Sequence, residues 1–414
     1  MLKLNSLSRE LFASSGVGDS KVVVNGKEIR RNDIIASGRT VAVEYFGRAL
    51  ESRSKKNGIV EKYNSRLVDV DYATYDEAHK NKKFLFCAAQ AYEAVGKEAP
   101  TLEQAKNDYS LAKDTVFLKT MAAIDRDVLT PLIFSVFDDI SANGLMQWVP
   151  AELGRTTEIE IKSNDVFLFE DSSWGSGRST SKNYMYAKTI TMTPEMFSCN
   201  ATIKWYQDIV NGEAGRYYAA ILNGMWNKIY AIFVSSLNAA KANTVYIPAA
   251  LKATTYTTGN MLSVSTKVAA ANGVRRQDLM VFGEIGALSV MLPVDGTGGA
   301  ITGLQYGLGE QWFTNGFLPN IGGMDAFEVT PVVVPGTQNT TINTIGLGND
   351  LWIIPKAGMG YAPMYGVYAK GFPITLTATP SETADFTIDI NVGALFAIKP
   401  VFASKLGLVT AVSA

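Results

Sequence analysis

The stretch that most constrains the fold runs from Asn211 to Asn243, where the spacing of apolar residues predicts one long helix. At about 1.5 Å per residue it would span roughly 45 Å, beyond the three or four turns usual in a compact domain. Taken alone, the pattern is more typical of a core helix of an α/β domain, but the flanking segments favour a strut. Apolar residues define one face and polar residues the other: Tyr218, Leu222, Met225, Ile229, Ile232 and Phe233 against Glu213, Arg216, Asn223, Asn227 and Asn238.

Before this helix, the sequence predicts a long β-hairpin over residues 156–193. Apolar and polar residues alternate in two runs, one around Ile159 and one around Ile190, and alternation with period two is typical of strands. The Ser- and Gly-rich segment 171–182 is the expected tip. With about a dozen residues in each arm the hairpin could reach roughly 40 Å, and a lone two-stranded ribbon of that length is marginal in water. It therefore needs a surface to lie on; the alternative is a local sheet within its own domain.

The charged residues are unevenly distributed along the chain. Residues 1–130 carry 39 of the 77 Lys, Arg, Asp and Glu side chains of this 414-residue protein. The remaining residues, 131–414, are therefore poor in charge. So large a charge-poor region is expected to bury its apolar surface either in an unusually big core or in protein–protein contacts. The formal net charge of −1 gives no overall signal for nucleic acid, and 47% apolar residues allow a sizeable core.

The charged first part of the chain is predicted to be mostly helical. A small hairpin is expected over residues 22–29, around an Asn-Gly turn. Helical patterns follow from about residue 40. Thr101 and Gln104 form a candidate capping box for a third helix. That helix is expected to run to about residue 142, with Pro131 as a break or kink.

Beyond the long helix, the pattern predicts an α/β domain and a closing antiparallel hairpin. A linker-like passage over residues 244–259 precedes a helix expected from Met261 to Gly273, with Gly273 as its C-cap. A buried strand is expected over residues 279–282, and further short apolar strands follow it. The last segment, residues 374–409, is expected to complete a single sheet.

The search for catalytic and metal-binding motifs gives no positive signal. The single histidine, His79, lies in a charged helical run and is expected on a solvated surface, as are the doublets Arg30-Arg31 and Lys82-Lys83. With the single histidine on a solvated surface, no His-based triad and no His metal site is expected. Cys87 and Cys199 are expected to be free thiols. An enzyme that uses paired carboxylates stays open, because sequence does not show which acids meet.

The order of these elements resembles the major capsid proteins of tailed bacteriophages, the Hong Kong phage type, and more narrowly those of the crAss-like phage lineage. The resemblance implies an α+β capsid fold with an N-arm, an extended β-hairpin loop, a long spine helix with a peripheral-domain sheet, and an α/β axial domain. It is carried by the order and length of the segments: Thr156–Thr193 as extended loop, Glu213–Ala242 as spine helix, Leu279–Pro293 and Leu351–Gly371 as axial core, and Ile374–Val409 as closing peripheral strands.

The same resemblance implies a domain division. The implied segments are 1–150 as N-terminal arm and helical region, 151–205 as extended loop, 206–254 as peripheral domain with the spine helix, 255–369 as axial domain and 370–414 as peripheral closing strands. The first of these is longer and more helical than the simplest family pattern. It is therefore either an N-arm with a helical subdomain or, in part, a scaffolding segment.

The resemblance also implies a structural role with no catalytic, cofactor-binding or metal-binding residues. The chain would be the major capsid protein of a tailed double-stranded DNA phage, made in the host bacterial cytoplasm and assembled into the hexamers and pentamers of an icosahedral virion shell. Expected partners are copies of itself, portal, scaffold or decoration proteins, and packaged DNA held non-specifically on the inner face. No membrane partner is expected, because the long helix carries Asn223, Asn227 and Lys228. The alternatives are an encapsulin-type nanocompartment, a phage tail or fibre protein and, least favoured, a carboxylate hydrolase.

Contacts between subunits are expected at the hairpin tip, through Trp174, Arg178, Lys182 and Tyr184. Some members of the family join a lysine of the extended loop covalently to an asparagine of a neighbour. Lys162, Lys182 and Lys188 would be available for such a bond here, but no partner asparagine can be named and no cross-link is expected.

Overall fold

The structure is a computed structural model that describes residues 20–24, 26–54, 72–142, 146–152, 154–162, 187–242, 244, 247–291, 317–334, 341–356, 362–370, 374–380, 387–401 and 405–410. None of the helices in these ranges is long and apolar enough to cross a membrane. The α-helices of the described residues are α1 (Arg31–Ser54), α2 (Tyr72–Ala94), α3 (Leu102–Asn107), α4 (Thr115–Ala142), α5 (Ala214–Lys241), α6 (Thr258–Asn272) and α7 (Ile285–Ser289). A π-helix spans Trp205–Val210, and 3₁₀ turns span Tyr109–Lys113, Ala249–Leu251 and Arg276–Asp278.

The strands of the described residues are β1 (Lys21–Val24), β2 (Lys27–Arg30), β3 (Met146–Ala151), β4 (Thr157–Lys162), β5 (Ala187–Met192), β6 (Glu195–Lys204), β7 (Lys252–Ala253), β8 (Leu279–Gly283), β9 (Asn320–Ile321), β10 (Met324–Glu328), β11 (Val332–Val333), β12 (Thr344–Ile345), β13 (Asp350–Pro355), β14 (Met364–Ala369), β15 (Ile374–Pro380), β16 (Thr387–Pro400) and β17 (Gly407–Thr410). The chain divides into two compact units. The first comprises residues 1–139, 194–229 and 368–396, and the second residues 140–193, 230–367 and 397–414.

The first unit begins with the predicted hairpin and helices. β1 and β2 pair antiparallel from Lys21↔Arg30 to Val24↔Lys27, and Gly26 has a φ of 73° at the turn, a backbone conformation open to glycine at little cost. The capping box is also confirmed, because the Thr101 side chain accepts from Gln104 N while the Gln104 side chain accepts from Thr101 N. These local signals were readable from the sequence because each depends on neighbours a few residues apart.

The prediction of one continuous helix from Thr101 to about residue 142 is wrong. α3 ends at Asn107, a 3₁₀ turn follows, and α4 starts at Thr115. Two aspartates cause the interruptions: the Asp108 carboxylate accepts from Ser110 N at 3.0 Å. The Asp114 carboxylate accepts from Val116 N and Phe117 N at 2.8 Å each. Such side chains satisfy the free N–H groups of a new helical segment and so favour restarting it. The helix does not end at Pro131, which lies inside α4.

The predicted long helix is confirmed as α5, 28 residues from Ala214 to Lys241, or about 42 Å at 1.5 Å per residue. Five of the six predicted apolar-face residues are buried, and Ile232 is half-buried. On the polar side Glu213, Arg216 and Asn238 are exposed, while Asn223 and Asn227 are half-buried. The 3.6-residue period therefore locates the buried face correctly.

Antiparallel pairing joins β16 to its neighbours β6 and β15 in a five-stranded sheet. The first ten residues of β16 pair with β6 from Thr387↔Lys204 to Phe396↔Glu195. On its other side β16 pairs with β15 from Ile374↔Ala394 to Pro380↔Ile388. The closing hairpin β15–β16 is thus confirmed, and the full strand order is β15-β16-β14-β3, with β6 beside β16.

The second unit contains a mixed six-stranded sheet in the order β7-β17-β13-β8-β10-β9. β8 is parallel to β10 and antiparallel to β13, and every residue of β8 and β13 is buried. α6 packs closely on this sheet, since a Cβ at Gly407 would lie 2.7 Å from the Val268 side chain. The predicted C-cap is confirmed, with Gly273 at φ 66°, and so is the buried strand over residues 279–282.

Four strands differ from expectation. β17 does not complete the sheet of β15 and β16 but lies between β7 and β13. β14, expected in the axial core with β13, lies between β16 and β3. β7 comes from the segment expected to be a linker, and β3 is not apparent from the sequence. The apolar residues of a strand indicate that the strand is buried, but they do not indicate which strands lie beside it. The sequence of the strand therefore does not determine the sheet to which it belongs.

Candidate functional site

The predicted extended hairpin has a well-defined base. β4 and β5 pair antiparallel from Thr157↔Met192 to Lys162↔Ala187, with Ile159 opposite Ile190. This confirms the two predicted strands and their pairing over these twelve residues. Opposite faces differ in chemistry: Ile159 and Ile190 are half-buried, whereas Glu158, Glu160, Thr189 and Thr191 are exposed.

The apolar face of this base packs on a cluster from its own chain. Met192 is buried with Ala151, Tyr365, Val367 and Ala397, and the half-buried Ile159 and Ile190 pack against the same cluster. These partners come from β3, β14 and β16. Burying such side chains stabilises the base by about 0.8 kcal/mol for each methylene removed from water. The base of the hairpin is therefore part of its own subunit.

Polar contacts fix the same base. Lys399 Nζ donates to the carbonyl oxygen of Thr191 at 3.0 Å, and the Thr156 and Thr193 hydroxyls lie 3.1 Å apart. Arg155 pairs with Glu152 at 2.8 Å, with both side chains well exposed, so this ion pair contributes little. These contacts tie β4 and β5 to residues outside the hairpin, up to the ends of the described strands at Lys162 and Ala187.

The residues predicted to contact neighbours lie beyond this base. Trp174, Arg178, Lys182 and Tyr184 are outside the described residues, so the structure neither brings them together nor separates them. Of the lysines considered for cross-linking, Lys162 ends β4 opposite Ala187, and Lys188 lies in β5 opposite Ile161. Lys182 is outside the described residues.

The largest correction concerns His79 and Lys83, both expected on a solvated surface. His79 is 1% exposed, with Nδ1 2.8 Å from the Ser37 hydroxyl and Nε2 3.5 Å from the Tyr218 hydroxyl. Lys83 donates to Asp125 Oδ1 at 2.5 Å and to the Tyr218 hydroxyl at 3.3 Å. The Tyr218 hydroxyl donates to the same Asp125 oxygen at 2.7 Å. One face of the charged helical run, with His79 and Lys83, therefore packs against α4 and α5, whereas Lys82 is exposed as expected.

The Arg30-Arg31 doublet is also only partly solvated. Arg30 pairs with the exposed Glu28, but Arg31 is buried and lies 2.5 Å from Asp127. Arg39 donates to the Asp127 carbonyl oxygen at 3.0 Å, and burial lowers the pKa of its guanidinium. Sequence reasoning missed these pairs because their partners lie about 90 residues further along the chain.

Burial sets the protonation of this polar cluster. It lowers the pKa of His79 to about 3, with the positive charges of Lys83 and Lys82 acting in the same direction. It raises the pKa of the Cys87 thiol to about 12 and the pKa of Tyr218 well above its usual value. At neutral pH all three groups are uncharged, which leaves neither a thiolate nucleophile nor an imidazolium acid.

A cleft of about 580 Å³ opens beside the cluster, lined in part by Asp125, Asp208, Glu213, Tyr217 and Phe117. Its three carboxylates already accept hydrogen bonds from protein donors: Asp125 from Lys83 and Tyr218, Asp208 from Lys204 N, and Glu213 from Tyr45. No metal-binding group of three or more His, Cys, Asp or Glu occurs in the part of the chain that the structure describes. The three carboxylates of the cleft thus each have a protein donor, whereas the buried Tyr217 hydroxyl has no hydrogen-bond partner among the described residues.

Comparison with known proteins gives matches among solved structures. No protein-family model and no curated protein matches the sequence. The chain is similar to the mature capsid of bacteriophage PhiM1, with a TM-score of 0.42 and 10% identity over 66% of this chain and 86% of that one. A phage-related protein from Bordetella bronchiseptica RB50 gives a TM-score of 0.42 and 10% identity over 68% and 96%. The SrpI encapsulin from Synechococcus elongatus PCC 7942 gives 0.37 and 8% over 64% and 85%. Because these TM-scores are below 0.5, what this chain does has to be inferred from its own residues.

Proposed function

We propose that this chain is a structural subunit of a self-assembling protein shell, with the Hong Kong phage-type capsid organisation. The observation that carries the proposal is the hairpin base: β4 and β5 are paired and anchored on their own chain by Met192 and Lys399. Between their ends the chain continues for 24 residues, 163–186. An anchored base that leads into a long connection is suited to reach onto a second copy.

The composition of that connection supports the proposal. Residues 163–186 include Phe167, Phe169, Trp174, Tyr184 and Tyr186, and aromatic residues are enriched where proteins bind one another. Twelve residues in each arm would reach about 40 Å at 3.3 Å per residue, and a free two-stranded ribbon is only marginally stable in water. A neighbouring copy would supply the surface that the ribbon needs.

The charge distribution gives independent support. Residues 131–414 carry only 38 of the 77 charged side chains, and interface cores are depleted in Lys, Glu and Asp. Many modest contacts per copy add up in a closed symmetric assembly. A charge-poor body with an anchored ribbon and a 28-residue helix fits such a lattice.

More specifically, we propose the major capsid protein of a tailed double-stranded DNA phage, in hexamers and pentamers of an icosahedral virion shell. In this proposal DNA contacts the inner face non-specifically, and portal, scaffold or decoration proteins bind the shell. The role is structural and not enzymatic. An encapsulin-type compartment is the second candidate, favoured by the same anchored hairpin, and would enclose a protein cargo instead of DNA.

Electron microscopy of the purified protein with a mass measurement tests the proposal. Closed icosahedral particles are expected; tubes or rods would instead indicate a tail protein, and small oligomers only would contradict a shell. Nuclease-protected DNA within particles purified from its natural source would separate a phage capsid from an encapsulin.

Deletion of Ser172–Lys182 tests the role of the hairpin. We expect a soluble subunit that no longer forms particles, because the ribbon loses its contact with the neighbouring copy. Arg178→Ala should weaken assembly in the same direction. Arg155→Ala is the matched control: Arg155 lies at the base of the same hairpin and pairs within its own chain, so particles should form normally. Normal particles from the deletion would count against the proposed contact.

A further inference from the structure

The start of α5 is held by a residue that precedes it by about 140 positions. The buried Asp76 of α2 accepts hydrogen bonds from Ala214 N at 3.1 Å and from Gly215 N at 2.9 Å. N–H groups in the first turn of a helix have no partner within the helix, and a carboxylate there also interacts favourably with the helix dipole. The N-terminal helical region therefore supplies the cap of α5.

One turn further along, the same region surrounds Tyr218. The ring is fully buried, and its hydroxyl donates to Asp125 of α4 at 2.7 Å while accepting from Lys83 of α2 at 3.3 Å. Without α2 and α4, α5 would expose this tyrosine and lose both partners. Without α5, the buried Asp125 and the half-buried Lys83 would each lose a hydrogen bond, and breaking a buried charge-bearing network is strongly unfavourable.

An aromatic cluster joins the same elements a third time. Phe84 of α2, Phe117 of α4 and Trp205 of the π-helix lie with ring centroids 5.4–5.5 Å apart. All three side chains are buried. Trp205 begins the π-helix that precedes α5 in the chain. Apolar, polar and capping contacts from two N-terminal helices therefore converge on one short segment, 205–218.

From these contacts we infer that residues 72–142, which contain α2 and α4, stay in the folded subunit throughout assembly, as a permanent part of the body that contains the start of α5. They are not a scaffolding segment that cleavage removes. The consequence for assembly rests on the proposed shell function, but the claim itself concerns the single subunit.

The inference is tested by cleaving the folded, unassembled, full-length subunit and asking whether the two fragments stay bound to each other. A protease site placed over residues 143–145, between α4 and β3, allows the chain to be cleaved after folding. We expect the two fragments to co-elute in size-exclusion chromatography at neutral pH and to separate in urea. Release of the N-terminal fragment under native conditions, with the remainder still folded by circular dichroism, would overturn the inference.

Two pairs of substitutions test whether the release of the N-terminal fragment depends on the contacts described above. The double variant Asp76→Ala, Tyr218→Ala removes the cap and the buried tyrosine, and should raise the released fraction after cleavage by about tenfold or more. Lys106→Ala and Lys113→Ala, on the α3 side of the region, should leave it unchanged. Equal release from both pairs would contradict the assigned contacts.

Hydrogen exchange on the uncut wild-type subunit covers the case in which the inserted site disturbs folding. Amides of α2 and α4 should be protected to the same degree as those of residues 217–229 in α5. Protection in α5 alone, with rapid exchange across α2 and α4, would refute a permanent attachment. Neither measurement requires shells, so a failure here is distinct from a failure of the proposed function, which electron microscopy reports.

Discussion

Acidification should destabilise the subunit through one residue, His79. The imidazole is 1% exposed, lies between the Ser37 and Tyr218 hydroxyls and shares its surroundings with the ammonium of Lys83. Burial, reinforced by Lys83 and Lys82, lowers its pKa from 6.5 to about 3 in the folded protein. The unfolded chain, with an ordinary pKa, therefore binds one more proton than the folded chain between pH 6.5 and pH 3.

The sign and size of the effect follow from proton linkage. Because the unfolded state binds more protons, the free energy of unfolding falls as pH drops below about 6.5, by about 1.4 kcal/mol per pH unit until the folded-state pKa is reached. Between pH 7.5 and pH 5 this amounts to about 2 kcal/mol. The full contribution of His79 is present above pH 6.5 and lost near pH 3.

Urea unfolding of dispersed subunits at pH 7.5 and pH 5.0 measures this loss. His79→Gln removes the titrating group, so its stability should fall by about 2 kcal/mol less than that of wild type over the same interval. Ser37→Ala is the control, since it removes the partner of Nδ1 but keeps the imidazole, and should retain the wild-type pH dependence. Carboxylates that also titrate are common to all three proteins and cancel in the comparison.

The single histidine allows a direct check by NMR. With only one imidazole in the chain, its Cε1–H resonance reports the folded-state pKa without assignment. A titration midpoint near 6.5 in the folded protein, or identical pH dependence of wild type and His79→Gln, would refute the reasoning.

Two further substitutions test the packing. Asp76→Ala should lower the free energy of unfolding by about 1–2 kcal/mol, because it removes the cap from Ala214 N and Gly215 N. Urea titration measures this loss. A change of less than about 0.5 kcal/mol, as is usual for a surface substitution, would argue against the capping role of Asp76. Gly366→Ala should cost about 1–3 kcal/mol, because a Cβ there would overlap the Trp148 ring. Gly286→Ala, where nothing lies within 4 Å, is the control, and equal melting temperatures for the two variants would contradict the close approach.

The elements predicted correctly are those whose signal is local. The 3.6-residue period of α5, the alternation in β4 and β5, and the box formed by Thr101 and Gln104 each involve residues a few positions apart. The breaks at Asp108 and Asp114 also had a local signal, because aspartate often starts a helix. The prediction missed these two breaks because they lie within a long run of helix-forming residues, 101–142.

The elements predicted wrongly depend on distant partners. His79 and Lys83 look like solvated charges because only the fold brings them to Tyr218, 139 and 135 residues away. β17 shows the same limit for strands: its four residues give no indication that β7 and β13, not β16, will flank it. The candidate contact residues at the hairpin tip remain a prediction from the sequence.

Cross-linking of particles assembled from equal amounts of ¹⁴N- and ¹⁵N-labelled subunits tests the central claim most directly. The claim is that residues 163–186 of one copy lie on another copy. Mass spectrometry of lysine cross-links that contain Lys182 should find about half of the pairs with one light and one heavy peptide, as random mixing of copies requires. Pairs that always carry a single label would place the ribbon on its own subunit and contradict the account.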